Sequence, residues 1–317
     1  MSLRKGAETV ILQCLNISKN EEVVILDNGN DEELLKALTQ VLNQHGSNFR
    51  IIEYEEPENH GEEPPKEVAE EMKDCDVFIA PTKKSLSHTK VRVEACEAGV
   101  RGATLPGITK EIWNTSLQAD YREVERLSNK VYKLLYDTDK VKVKTPSGTD
   151  LSFEVNIDYF RKDIGIIHNS GEFGNLPAGE ADGAPVKMNG TLVVDHLPFA
   201  ENSEGMEIKI EDNKVKEIEG KEDSELSKKF ESVEGARNIA EFGFGTNPEA
   251  ELIGNLLQDE KVLGTVHIAF GDNTSYVPKN DEKRVSADIH WDTVCKNPTV
   301  WFDDTKILDN GKPVFTG

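Results

Sequence analysis

The sequence predicts an α/β protein of two domains: an N-terminal Rossmann-like α/β domain with a parallel sheet, then a mainly antiparallel α+β domain. Up to about residue 138, buried-strand patterns alternate with amphipathic helical patterns, which is typical of βαβ units. From residue 139 onward, short segments alternate apolar and polar residues between turn residues, which indicates antiparallel strands. We therefore expect domains at residues 1–138 and 139–317.

The first domain reads as three strands separated by helices. "EEVVILDN" (21–28) predicts a buried strand, and "DEELLKALTQVLNQHG" (31–46) predicts a helix with a leucine stripe that Gly46 ends. "NFRIIEYEEP" predicts the second strand, "PPKEVAEEMKDC" a helix and "DVFIAP" (76–81) the third strand. A further helix and a short strand follow, and "DYREVERLSNKVYKLLYDTD" predicts the long helix that closes the domain. This order favours a parallel sheet with helices on both faces.

The second domain has the composition of antiparallel strands. "KVKVKTPSGTDLSFEVN" predicts a hairpin around a Pro-Ser-Gly turn, and "GTLVVDHLP", "MEIKIEDNKVKEIEG" and "VLGTVHIAFG" predict further strands. "EDSELSKKFESVEG" predicts a helix between them. The segment "GFGTNP" (243–248) has no third glycine and no preceding buried strand, so it is interpreted as a turn rather than a dinucleotide loop.

The composition excludes several classes of function. The 317 residues are 37% hydrophobic and 30% charged, and 37 basic against 59 acidic side chains give a net charge of −22. Such a field repels nucleic acid and anionic membranes. The cysteines, Cys14, Cys75, Cys96 and Cys295, lack C-x-x-C spacing, which indicates a reducing cytoplasm. Neither a signal peptide nor an apolar run of about 20 residues is present, so we expect a cytoplasmic protein without a membrane span.

A histidine and an aspartate lie two residues apart in the strand-like segment "ADIHWDTV" (287–294). The two-residue period of a strand points His290 and Asp292 to the same face. Alone, such a pair indicates either a hydrogen-bonded His–Asp pair or half of a metal site.

Three other residues that could bind a metal ion occur upstream in the second domain. Glu180 follows Pro177 and Gly179 in "FGNLPAGEAD", Glu241 is the lone acid of "RNIAEFGFGTNP", and His267 lies in the apolar run "LGTVHIAFG". Each has a structural explanation: a loop cap, an ion pair and a satisfied core histidine. A buried acid or imidazole nevertheless needs a partner. Together with the H-x-D pair they supply two imidazoles and three carboxylates, which suit zinc, cobalt or manganese and are enough for two ions.

The strings "FGNLPAGEA", "RNIAEFGFGTNP", "LGTVHIAFGDN" and "IHWDTV" occur in the order found in a known family. In them the chain resembles the thermophilic metalloprotease family of leucyl aminopeptidases, which includes aminopeptidase T, aminopeptidase S and PepS. The segments "SLSHTKVRVEACEAGVRGATLPG" and "TPSGTDLSFEV" are similar as well. The resemblance covers almost the whole chain and implies the metal ligands Glu180, Glu241, His267, His290 and Asp292.

This resemblance implies a cytoplasmic metal-dependent aminopeptidase, a hydrolase that acts on peptides with a free N-terminus and forms a homodimer. Two divalent ions, zinc, cobalt or manganese, would share an activated water, with Asp292 as the candidate bridging ligand. Glu180 or Glu241 is the candidate general base. Thr274 stands where the family has a tyrosine, and Tyr276, two residues later, is the candidate donor to the oxyanion.

Two alternatives stay open at this point. The same fold resembles a mononuclear iron dioxygenase that acts on dihydroxypyridine, and His267, His290 and Asp292 alone would supply its two-histidine, one-carboxylate triad for Fe(II). That reading predicts oxygen-dependent ring cleavage with one metal ion per chain. A non-catalytic relative would bind metal without turnover.

Overall fold

The computed structural model describes residues 3–198, 200 and 202–315. The chain divides into two compact units. The first unit comprises the residues up to Glu125 together with Ile164–Ala178 and Pro248–Glu251. The second unit comprises Arg126–Asp163, Gly179–Asn247 and Leu252–Gly317.

The helices are α1 (Leu3–Glu8), α2 (Glu32–His45), α3 (Lys66–Lys73), α4 (Lys90–Glu97), α5 (Lys110–Trp113), α6 (Tyr121–Tyr136), α7 (Glu225–Ser232) and α8 (Leu256–Asp259). A π-helical turn, Thr9–Cys14, continues α1, and two short 3₁₀ turns cover Ser116–Gln118 and Ile157–Tyr159. None of the helices in the described part of the chain is long and apolar enough to cross a bilayer.

The first nine strands are β1 (Glu22–Asp27), β2 (Asn48–Glu53), β3 (Val77–Ala80), β4 (Arg101–Thr104), β5 (Lys140–Lys144), β6 (Asp150–Glu154), β7 (Phe160–Asp163), β8 (Phe173–Asn175) and β9 (Glu180–Gly183). The others are β10 (Val186–Val193), β11 (Glu207–Glu211), β12 (Lys214–Glu219), β13 (Ile239–Gly245), β14 (Val266–Gly271), β15 (His290–Cys295), β16 (Thr299–Phe302), β17 (Thr305–Asp309) and β18 (Lys312–Pro313).

The first unit is built on a parallel five-stranded sheet with the order β2-β1-β3-β4-β8. Strand β3 and the middle of β1 are apolar and buried, as parallel sheets require, and β4 is buried although it includes Arg101 and Thr104. Helix α2 begins where the Asp31 side chain accepts a hydrogen bond from the Glu33 amide, and it ends at Gly46, whose φ of 79° is left-handed. The predicted βαβ order is therefore present.

The second unit packs two antiparallel sheets against each other. The larger sheet has the order β12-β11-β10-β6-β5-β16-β17-β18, and the smaller has the order β15-β14-β13-β9-β7. Aromatic side chains join them: the rings of Phe153 on β6 and Phe242 on β13 lie 4.8 Å apart. Phe230 of α7 packs edge-on against Phe270 of β14, with 5.0 Å between ring centroids. One face of the smaller sheet is thus committed to the core.

The predicted fold class is confirmed, because the chain has a parallel α/β sheet followed by antiparallel α+β structure. The compact units are interleaved in sequence, since β8 returns to pair with β4 after the chain has entered the second unit. The domain boundary after residue 138 remains a prediction about independent folding. The helix at residues 3–8 and its continuation were not predicted from the sequence.

The contact between the two sheets of the second unit gives a test of the fold. Replacing Phe153 by alanine removes a fully buried ring, so we expect the free energy of unfolding to fall by about 3–5 kcal/mol. Val314, which is 52% exposed, provides the control, and Val314→Ala should stay within about 0.5 kcal/mol of the parent. Denaturant unfolding measures both values. Equal effects of the two substitutions would argue against this sheet packing.

Candidate metal site

The five ligands predicted from the sequence lie on one face of the smaller sheet of the second unit. Residues that pair directly across strands project to the same face, and the registers of the strand pairs β9–β13, β13–β14 and β14–β15 put all five side chains on the face opposite the aromatic core. They are Glu180 on β9, Glu241 on β13, His267 on β14, and His290 and Asp292 on β15.

Two glycines of β13 make room on this face. Gly243 pairs with His267, and a methyl group there would lie 2.0 Å from the imidazole Nε2 and Cε1. Gly245 pairs with Glu180, and a methyl group there would lie 2.2 Å from the carbonyl oxygen of Val262. The interpretation of this G-x-G segment as a turn was wrong: both glycines are inside a buried strand, where the close approach of a ring and of a loop requires the absence of Cβ.

The carboxylate of Glu241 lies at the centre of the group. The Nε2 of His267 donates to its Oε1 at 3.1 Å, and the Nε2 of His290 donates to its Oε2 at 2.8 Å. The Nε2 of His290 also lies 3.7 Å from the Oδ2 of Asp292. Asp292 is the bridging ligand that the aminopeptidase resemblance implies, whereas in the structure Glu241 has one oxygen near each imidazole. The bridging role of Asp292 stays a prediction.

The charges of these groups depend on one another. Burial disfavours a charged imidazole, but the neighbouring carboxylates outweigh it and raise the pKa of His267 and of His290 to about 10. Burial alone would raise the pKa of Glu241, but the hydrogen bonds from both rings hold it well below its usual range. Burial raises the pKa of Asp292, and the nearby Glu241 charge adds to this effect. Although His290 lowers it, the pKa of Asp292 is raised to about 7. In the absence of metal, the two imidazoles therefore carry protons at the positions where a cation would bind.

Glu180 differs from the other acids because a lysine contacts it. The Nζ of Lys261 donates to the Oε1 of Glu180 and, at 2.7 Å, to the Oε1 of Glu260. The Oε2 of Glu180 lies 3.5 Å from the Nε2 of His267. Burial would lower the pKa of Lys261, but the Glu180 and Glu260 carboxylates hold it well above its usual range. The ammonium is thus a fixed positive charge beside the predicted ligands.

Tyr276 belongs to a second polar group on the same face. Its hydroxyl donates to the Oδ2 of Asp182 at 2.8 Å and accepts from Arg161 Nη2 at 3.0 Å. Arg161 Nε also donates to Asp182 Oδ2, at 2.9 Å. Burial, with the Asp182 charge, raises the pKa of Tyr276 well above 10. Since its proton is directed at Asp182, a role as oxyanion donor would require that bond to break, and the role stays a prediction.

The residues present fit a divalent metal ion. Three trios have ligand atoms within 4.8 Å of one another: Glu180, Glu241 and His267; Glu241, His290 and Asp292; and Glu260, His267 and Asp292. Within the described ranges, Glu180 Oε2 and Asp292 Oδ1 are buried without a hydrogen-bond partner, and such atoms are costly unless a cation contacts them. Imidazole nitrogen with carboxylate oxygen suits iron, zinc or manganese.

Sequence reasoning missed Lys261, Asp182 and Arg161. Lys261 lies in "NLLQDEKVLG", where a run of charges is typical of a solvated loop, so no signal marked it as buried. Asp182 could have been found, because Glu180 and Asp182 have the same two-residue spacing that identified the H-x-D pair.

The fold and this cluster of histidines and acids define the chain as an enzyme of a metal-dependent class. Its sequence matches the family described as 2,5-dihydroxypyridine 5,6-dioxygenase (NicX) over residues 6–315. The match covers nearly the whole chain, and the protein belongs to this family. A search of curated proteins gives no significant match.

Two solved structures share the fold. The 2,5-dihydroxypyridine dioxygenase of Pseudomonas putida KT2440 is 16% identical, with a TM-score of 0.78 over 99% of this chain and 98% of that one. Wild-type AmpT of Thermus thermophilus is 18% identical, with a TM-score of 0.70 over 98% of each chain. At these identities the likeness concerns the fold. The aminopeptidase resemblance is therefore confirmed for the fold, while family membership lies with the dioxygenases.

The close contact between Gly243 and His267 gives a test of the site. Gly243→Ala must displace the imidazole, so we expect metal affinity to fall by about 10–100-fold, as when the support of a ligand is lost. Phe244→Leu, on the core face of the same strand, is the matched control for a loss of stability alone. Calorimetric titration of the metal-free variants with Zn²⁺ measures both affinities. An unchanged affinity in Gly243→Ala would count against His267 as a ligand.

The raised histidine pKa values predict how the metal-free protein responds to pH. Because the folded pKa of His267 and of His290, about 10, exceeds the unfolded value of 6.5, their contribution to stability is complete below pH 6.5 and is lost as the pH rises through 10. The melting temperature in chelator should therefore fall across this range. A metal-loaded sample should vary less, because the ion replaces the protons. A metal-free melting temperature that rises with pH would contradict the protonated site.

Proposed function

We propose that the protein is a mononuclear iron(II) dioxygenase that opens the ring of a dihydroxypyridine. The observation that carries this proposal is that two imidazoles and buried carboxylates converge on one sheet face while Lys261 holds the outlying acid, Glu180. Two histidines and one carboxylate with open positions are the ligand set of non-haem Fe(II) oxygenases. Family membership and the shared fold with the Pseudomonas putida enzyme support the substrate class.

His267 and His290 would bind the ion through Nε2, and Asp292 would supply the carboxylate of the triad. The Nδ1 of His290 donates to the backbone carbonyl of Asp272 at 2.7 Å, which fixes the ring and leaves Nε2 for the metal. Asp292 Oδ1 is buried without a hydrogen-bond partner among the described residues, so a cation there removes an unfavourable state. Bound ferrous iron supplies the redox chemistry by which dioxygen and an electron-rich ring react.

Glu241 is the candidate base for a substrate hydroxyl. Once the two imidazoles are neutral ligands they no longer donate to its oxygens, and the carboxylate can accept a proton at Oε1 or Oε2. Glu180, the other candidate base, is bound to Lys261 and is less available for proton transfer.

A metal-dependent aminopeptidase is the second candidate. It is favoured by the two trios that share Glu241, one with Glu180 and His267 and the other with His290 and Asp292, because a shared carboxylate is typical of paired metal ions. The fold shared with AmpT agrees with this reading. It requires two ions, such as zinc or cobalt, and a peptide substrate with a free N-terminus.

Anaerobic reconstitution with Fe²⁺ tests the main proposal. We expect one ion per chain and consumption of one dioxygen per 2,5-dihydroxypyridine, followed by oxygen electrode and by loss of the ring absorption. His290→Ala and Asp292→Ala should each lower turnover by more than about 100-fold, which exceeds the usual effect of losing a residue that only hydrogen-bonds to a metal ligand.

His45→Ala is the control, since it removes an imidazole from α2 of the first unit. Release of N-terminal residues from peptides, with two Zn²⁺ or Co²⁺ per chain and no dioxygen uptake, would decide for the aminopeptidase. Bound metal without turnover of either substrate would indicate a non-catalytic relative.

A further inference from the structure

Lys261 is a buried cation inside the ligand cluster. Its side chain is 5% exposed, and its ammonium contacts the carboxylates of Glu180 and Glu260. A lysine is rarely this buried without paired acids, and an ammonium is a compact charge that carboxylates surround much as they surround a metal ion. It therefore neutralises acids that would otherwise bind a second cation.

The backbone fixes the position of this ammonium. The amide of Lys261 donates to Gln258 at 2.9 Å, and its carbonyl accepts from the Asn247 amide at 2.9 Å. Gly245 permits this approach, because a methyl group on it would lie 2.8 Å from the carbonyl carbon of Lys261. The strand that carries Glu241 thus lacks a side chain where the lysine segment crosses it. These backbone contacts fix the segment that carries the ammonium.

Two of the three ligand trios include an acceptor of this ammonium, since one contains Glu180 and another, with His267 and Asp292, contains Glu260. Glu180, Glu241 and His267 offer ligand atoms within 4.8 Å of one another, which is enough to hold an ion. The Oε1 of Glu180 is the acceptor for Lys261, while its Oε2 faces His267. An ion bound to this trio would lie beside a fixed like charge, which weakens its binding. The trio of Glu241, His290 and Asp292 includes no acceptor of Lys261 among the described hydrogen bonds. In a two-ion site His267 would bind the second ion and this trio the first, whereas the single ion of the proposed dioxygenase takes both imidazoles.

We propose that Lys261 occupies the place of a second metal ion and keeps the site mononuclear. Lys261 is a positioning residue, since it acts through Glu180 and contacts no reacting group. The inference deepens the proposed function and rests on it for the identity of the resident ion.

Metal stoichiometry tests the proposal. We expect metal-free wild-type protein to bind one Zn²⁺ in calorimetric titration, and Lys261→Met, which keeps an unbranched side chain but removes the charge, to bind two. Lys261→Arg should bind one, because the positive charge is retained. Lys209→Met is the control, since it removes a lysine from an exposed pair with Glu217 on the larger sheet. A wild type that binds two ions, or a Lys261→Met variant that binds one, overturns the proposal.

Lys261→Met leaves the buried Glu180 and the half-buried Glu260 without the ammonium that contacts them, so its metal-free form should melt at a lower temperature than wild type. Excess Zn²⁺ should raise its melting temperature more than that of wild type, because two ions bind the folded state. The Lys261→Met/Glu180→Gln double variant should fold and bind one ion. No extra stabilisation of Lys261→Met by Zn²⁺, or a second ion in the double variant, would refute the role given to the Lys261–Glu180 pair.

These outcomes are separate from those that test the function, because zinc binding needs no dioxygen chemistry. A chain that gains a second zinc ion on loss of Lys261 but never consumes dioxygen refutes the dioxygenase and leaves the lysine's role intact. A working dioxygenase whose stoichiometry is the same in Lys261→Met refutes the lysine's role alone.

Discussion

The buried carboxylate of Glu241, held between the imidazoles of His267 and His290, is the interaction on which the site depends. A buried acid is stable only with partners, and a sheet supplies them by placing paired residues of neighbouring strands on one face. The arrangement works because β13 has glycine at Gly243, where the His267 ring lies against the backbone. The opposite face of the same strand carries Phe242 and Phe244, so β13 contributes one face to the hydrophobic core and the other face to the candidate metal site.

The sequence predicted the ligands better than the charges around them. A two-residue spacing was enough to place His290 and Asp292 on one face, because the pleat of a strand is invariant. The G-x-G segment that contains Gly243 was wrongly predicted as a turn, because such segments are more often turns. Only the His267 ring, its neighbour in three dimensions, explains why this strand position has no Cβ. Lys261 was not predictable, because its burial arises from packing against residues distant in sequence. For the same reason β8, which joins the first sheet late in the chain, was missed.

The fold alone does not choose the reaction. The two solved structures named above each match nearly all of this chain, yet one is a dioxygenase and the other is AmpT. The difference has to lie in a few side chains on a shared scaffold. In this chain the ammonium of Lys261 is fixed against Glu180, at the end of the cluster away from His290. A charge at that point changes the number of ions that the site can hold.

A count of charges explains why one ion suits this scaffold. Without metal, the acids Glu180, Glu241, Glu260 and Asp292 face the ammonium of Lys261 and two imidazole rings whose pKa values the carboxylates raise to about 10. One divalent ion that displaces the two imidazolium protons leaves the net charge of the cluster unchanged. A second ion would add two positive charges with no further protons on the rings to release. The ion therefore exchanges for protons in a site that is already arranged for positive charge.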